Sequence, residues 1–147
     1  MPNKMCQITY QITRPAKIEY LEEFCNFVSD QVAAHGASMK VIHEVDLAID
    51  EAATNIINYA YEDAAGDLTV SISLEEPKTL VIDLIDHGKP FNPLTIPPPD
   101  LESDIDHRPI GGLGLHLIRK FTDSVSYRRE DDKNILTFRK VISESPC

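Results

Sequence analysis

Two pairs of short strand-like segments constrain this chain more than any other feature. "DLTVSISL" (Asp67 to Leu74) and "TLVIDLID" (Thr79 to Asp86) have only "EEPK" between them. "DSVSYRRE" and "NILTFRK" repeat the arrangement, with the turn at "DDKN". Alternation of β-branched and polar residues between turn signals is a strand pattern. A parallel pair needs a crossover of about a dozen residues or more, so joints this short make antiparallel hairpins. A doubly wound parallel sheet is thereby excluded.

The other segments fill in the architecture. "CQITYQIT" (Cys6 to Thr13) reads as an edge strand. "PAKIEYLEEFCNFVSDQVAAHG" carries Ile18, Leu21, Phe24, Cys25, Val28 and Val32 at helical spacing. Pro15 suits its first turn and Gly36 its end. A second helix is expected from about Met39 to Tyr61, with Ser38 as N-cap. A third follows a glycine run and ends near Phe121. The order β-α-α-β-β-loop-α-β-β predicts an α/β (α+β) two-layer sandwich. Its mainly antiparallel sheet would be covered on one face by three helices.

With 147 residues, the chain suits one domain spanning 1–147. Its net charge of −10 lacks the basic footprint of a nonspecific nucleic-acid binder. No apolar run approaches the ~20 residues of a membrane span. "MPNKMCQITYQITRP" has no signal-peptide core, so a cytoplasmic protein without a membrane partner is expected. Cys6, Cys25 and Cys147 lie far apart with no C-x-x-C, which points to incidental reduced thiols.

Three constellations carry possible chemistry. In the second helix, Ile42, Val45, Ile49, Ala52, Ile56 and Ala60 form an apolar stripe, with Glu51, Thr54, Asn55, Asn58 and Glu62 expected opposite. Glu51 and Asn55 are neighbours one turn apart. Together they could offer hard oxygen ligands to Mg²⁺, or a base, or merely belong to a solvated polar face. In "VIDLIDHGKPF", Asp86 closes a strand and Gly88 permits a turn. Such a carboxylate could accept from an exocyclic amine, or merely begin the turn. In "RPIGGLGLHLIRK", glycines crowd the start of a helix, where backbone N–H groups can meet phosphate. No Walker A or dinucleotide fingerprint is present, and a structural turn is the competing reading. Between the last two lies a proline-rich stretch, residues 88–110, too long for an ordinary connection.

In their joint order these motifs resemble the GHKL ATPase superfamily, whose nucleotide-binding fold is the Bergerat fold. "DEAATNIINYAY" looks like its N-box, "DHGKPFNP" like its first glycine box and "GGLGLHLIRKFTD" like its second. The compact size and the "E-A-x-T-N" form resemble the bacterial anti-sigma factor serine-protein kinases. The resemblance implies ATP and Mg²⁺ as cofactors, with Asn55 binding Mg²⁺ through its side-chain oxygen and Glu51 acting as catalytic base. It implies that Asp86 bonds the adenine amine while Gly88 gives the ring room, and that Thr137 supports adenine from a late strand. Gly111, Gly112 and Gly114, with Leu113 and Leu115, would line the phosphate cradle. Asn58, Pro90 and Phe91 complete the nucleotide-binding set. An ATP lid would span about 89–110, with Arg108 as its phosphate contact. The partners so implied are a STAS-type anti-sigma-factor antagonist, a sigma factor and a second copy of the chain.

The first box departs from the fuller D-x-G-x-G pattern, because Lys89-Pro90 removes the second glycine. Two rival readings differ in class. A sensor histidine kinase would need a phosphoacceptor His on a dimerisation helix, and no histidine here sits in such a hairpin. The other rival is a catalytically silent module that binds ATP or sequesters a partner; Glu51 favours the kinase.

Overall fold

The computed structural model describes residues 8–61, 65–75, 78–92 and 112–142, with side chains in the last segment described from residue 117. In chain order the elements are β1 (Thr9–Pro15), a 3-10 turn (Ile18–Tyr20), α1 (Leu21–Ala34), α2 (Met39–Tyr59), β2 (Asp67–Glu75), β3 (Thr79–Asp86), α3 (Gly112–Phe121), β4 (Ser124–Glu130) and β5 (Lys133–Val141). The strands form one antiparallel sheet in the order β1-β2-β3-β5-β4. β2, β3 and β5 are therefore interior strands, each paired on both sides.

Strand alternation sorts the sheet into two faces. Leu68, Val70 and Ile72 of β2, Leu80, Ile82 and Leu84 of β3, and Leu136 and Phe138 of β5 are all fully or nearly fully buried. They share one core with Phe24, Val28 and Val32 of α1, Ile49, Ala52 and Ile56 of α2, and Ile118 of α3. The opposite face carries Thr13, Thr69, Ser71, Asp83, Thr137 and Ser126, as the strand register requires. This is the expected two-layer sandwich. α2 is the middle helix, packed between α1 and α3.

Local chemistry accounts for several element ends. Ser38 caps α2, accepting from Val41 N at 3.2 Å. The β4–β5 turn contracts to Asp131 and Asp132, both at positive φ (52° and 65°), with the strand resuming at Lys133. That backbone is a type I′ turn, which matches strand twist. Pro15 corrects the sequence reading: it closes β1 opposite Asp67 instead of opening a helix. A proline at the end of an edge strand gives up little of the ladder. α1 begins only at Leu21, and Ile18 is 58% exposed instead of joining the apolar stripe. Cys6 and Cys147 lie outside the described residues, whereas Cys25 sits partly buried between α1 and α2. Burial first, then nearby Asp50, Asp46 and Glu22, push its thiol up to about 12. A raised thiol pKa leaves little thiolate, the nucleophilic form, at neutral pH.

Candidate functional site

The alternation that buries Leu80, Ile82 and Leu84 carries one residue further and turns Asp86 inward as β3 ends. The carboxylate is 1% exposed. Its Oδ1 accepts from Gly88 N and from Asn134 Nδ2, both at 2.8 Å. Burial raises its pKa; the bonds from Asn134 and Gly88, with Arg129 and His87 nearby, pull the other way. Arg129 Nη1 also donates to the Gly88 carbonyl at 2.8 Å. The result is a buried acceptor held at a strand end by two donors and a cation.

Gly88 is required by close approach. A Cβ there would lie 2.2 Å from the Ala60 carbonyl oxygen and 2.6 Å from its carbon. Lys89 N donates to that same carbonyl at 3.0 Å. The space left by the missing side chain is thus occupied by the C-terminal end of α2, a reason for glycine that the sequence reading did not contain. Tyr61, expected as the last residue of the second helix, lies beyond the Ala60 C-cap. Its hydroxyl donates to Asp67 O at 2.6 Å and accepts from His87 N at 2.7 Å. Pro90 is exposed, and the Phe91 ring meets Tyr59 with centroids 5.7 Å apart.

On α2, Glu51, Asn55 and Tyr59 follow one another at one-turn spacing and lead toward Phe91. Asn55 is fully buried, and neither its Oδ1 nor its Nδ2 has a hydrogen-bond partner among the described residues. The side of α2 read as a solvated polar face is therefore not one at this position. The helix is covered from several sides, so Ala48 and Ala53 are buried as well. Glu51 is partly buried, and burial, followed by repulsion from Asp50, raises its pKa. Asn58 is exposed.

Thr137 does not join this group. It lies opposite Asp83 in the β3–β5 register, and its hydroxyl donates to Asp83 Oδ1 at 2.5 Å on the face away from the helices. Asn134 lies opposite Asp86 instead and is 3% exposed. Sequence reading missed it. The signal was parity: in "NILTFRK", the residues sharing a face with Leu136 and Phe138 are Asn134 and Lys140, and Thr137 points the other way.

α3 begins at Gly112, so Gly112 and Gly114 are its first turn and not a loop ahead of it. The first N–H groups of any helix lack intrahelical partners, and the macrodipole favours an anion there. Arg108, Gly111 and the proposed lid beyond residue 92 lie outside the described residues, as do the side chains of Leu113 and Leu115. Among the described residues, no cluster of three His, Cys, Asp or Glu could hold a metal. The Asn55 amide is the group that fits a hard cation bound jointly with phosphate, because its oxygen is buried and lacks a partner among the described residues.

A five-stranded antiparallel sheet under three helices, with a carboxylate closing β3 beside an asparagine-bearing α2, is the build of a GHKL-type ATPase domain. The chain belongs to the histidine kinase-like ATPase domain family, whose model matches residues 14–140. Its relatives include proteins named serine-protein kinase RsbW. That of Bacillus mycoides (strain KBAB4) is 29% identical over 134 residues, and that of Bacillus cereus (strain B4264) is 30% identical; each match covers 88% of this chain and 83% of the relative. The fold is shared with the crystal structure of RsbU and RsbW domains from Mycobacterium tuberculosis. That match has a TM-score of 0.66 and 17% identity, covering 94% of this chain and 33% of that one. A blue-light activated histidine kinase domain from Erythrobacter litoralis matches with a TM-score of 0.54 and 13% identity, covering 84% of this chain and 62% of that one. No helix among the described residues is long and apolar enough to cross a membrane.

Proposed function

We propose that this chain is a serine/threonine-protein kinase that transfers the γ-phosphoryl group of ATP to a STAS-type anti-sigma-factor antagonist, and that it sequesters a sigma factor as part of the same regulatory switch. The observation that carries the reading is Asn55: a fully buried amide with no partner among the described residues, one helical turn from a carboxylate of raised pKa. The relatives named serine-protein kinase give the acceptor class. In this reading the whole chain is one catalytic domain, cytoplasmic and dimeric, with its lid over about 89–110.

Each residue has a defined task. Asp86 accepts from the exocyclic amine of adenine, while Gly88 and Asn134 hold Oδ1 in place. Tyr59 and Phe91 give an aromatic wall beside the base. The first turn of α3, from Gly112 to Leu115, presents backbone N–H groups to phosphate oxygens; Gly111 and Arg108 complete that end. Asn55 would hold Mg²⁺ through Oδ1, and the ion when bound neutralises charge on the phosphates. Glu51 takes the proton of the acceptor hydroxyl as its oxygen bonds to the γ-phosphorus and the bond to ADP breaks. Its raised pKa makes it a stronger base than an ordinary surface carboxylate.

The test is incubation of the protein with labelled ATP and the antagonist. Wild type transfers label and Glu51→Ala loses about a hundredfold or more in rate. A wild type that binds ATP and transfers nothing reduces the protein to a nucleotide-gated sequestering module.

A further inference from the structure

The Asn134 amide makes four hydrogen bonds. Its Nδ2 donates to Asp86 Oδ1 and to the Lys89 carbonyl, each at 2.8 Å. Its Oδ1 accepts from Tyr127 Oη at 2.5 Å and from Phe91 N at 3.2 Å. The partners come from β3, the segment after it, and the edge strand β4. An amide has two donors and one acceptor oxygen, so this one is saturated. The Tyr127 hydroxyl and the Phe91 N–H both point donors at the oxygen, which fixes the –NH₂ end toward Asp86.

We infer that Asn134 is a positioning residue that joins the Asp86 carboxylate to the Lys89–Phe91 backbone, so that base recognition and the geometry of the chain leaving β3 form one unit. The inference rests on the proposed role of Asp86 in adenine binding. The interior of a protein is a poor place for a carboxylate, and a donor aimed at its charged form offsets part of that cost. The groups that act on Asp86 are Arg129 from β4, His87 beside it, Tyr61 beyond α2, Gly88 N and Asn134 itself. Of these groups, Asn134 is the one that, among the described residues, also bonds the backbone on either side of Pro90. A purely structural amide would serve stability; this one would also set the protonation of the base-binding carboxylate.

The experiment measures ATP affinity by calorimetry from pH 5 to pH 9 for wild type, Asp86→Ala, Asn134→Ala and Tyr127→Phe. Asn134→Ala is expected to bind ATP about tenfold more weakly at neutral pH, the scale of one lost charge-assisted bond. Its affinity should start to fall at a higher pH than that of wild type, because Asp86 would protonate more readily. Tyr127→Phe keeps the ring and frees the amide to turn over, so it should shift the pH profile in the same direction with a loss of about threefold, less than one full bond. If Tyr127→Phe and a folded Asn134→Ala both keep the wild-type affinity and pH profile while Asp86→Ala abolishes binding, the positioning role is overturned and adenine recognition by Asp86 stands. If Asn134→Ala does not fold, the Tyr127→Phe profile decides alone. If wild type itself does not bind ATP, or Asp86→Ala binds normally, the adenine reading fails first and the inference with it.

Discussion

Asn55 is wholly buried with both ends of its amide unbonded among the described residues. An unsatisfied buried amide costs about 1–3 kcal/mol, so a fold selected for stability alone has reason to exchange it. Asn55→Leu, close in shape and apolar, is expected to unfold at the same urea concentration as wild type or a higher one. ATP binding in the presence of Mg²⁺ should vanish in the same protein. Loss of stability together with binding would make Asn55 a structural residue. Glu51 yields a prediction in pH. Its pKa is raised by burial, then by Asp50, so the acid limb of phosphotransfer should lie above the ordinary carboxylate value of about 4.3. Glu51→Gln should remove that limb along with most of the rate. At this scale the motifs drew Glu51, Asn55, Asp86 and Gly88 into the candidate site. For Asn134 the sequence offered only the parity of β5, because its role also depends on which strand lies opposite β3 and in what register. Spacing along the chain says nothing about strand order.

At the scale of elements, hairpins and helices were legible because their signals are local: alternation, short turns, and a serine ahead of α2. Pro15 misled because it can open a helix or end an edge strand. The partner that decided, Asp67 on β2, lies far along the chain. The meaning of Gly88 was equally hidden. Its reason is the Ala60 carbonyl at the end of α2, a contact between elements and not a turn. Gly88→Ala must therefore push β3 away from α2. The expected cost is about 1–3 kcal/mol, read as a lowered midpoint in urea, with weaker ATP binding because Asp86 Oδ1 loses alignment with the Gly88 N–H. Full stability in Gly88→Ala would show that the junction yields freely.

For the whole molecule, the two raised carboxyls fix a sign. A group whose folded pKa lies above its unfolded value adds stability that is full below the unfolded pKa and is lost as pH rises through the folded one. Asp86, raised chiefly by burial, should follow this rule. Asp86→Asn, which cannot ionise, should gain on wild type as the pH climbs. The urea midpoints of the two proteins should converge near pH 4 and separate by pH 8. A constant gap would mean that the carboxylate is not penalised by the fold. Under the proposed function, stability is given up at two places, the Asp86 charge and the Asn55 amide.

The strand order has a consequence for how the protein opens. β3 and β5 are flanked on both sides, while β4 lies at an edge. Amide protons of β3 and β5 should exchange with solvent only in large-scale opening, and those of β4 in small local excursions. Asp86 and Asn134 would then stay protected while Tyr127 and Arg129 breathe, so the strand that steadies the Asp86 carboxylate is also the one that most easily lets it go.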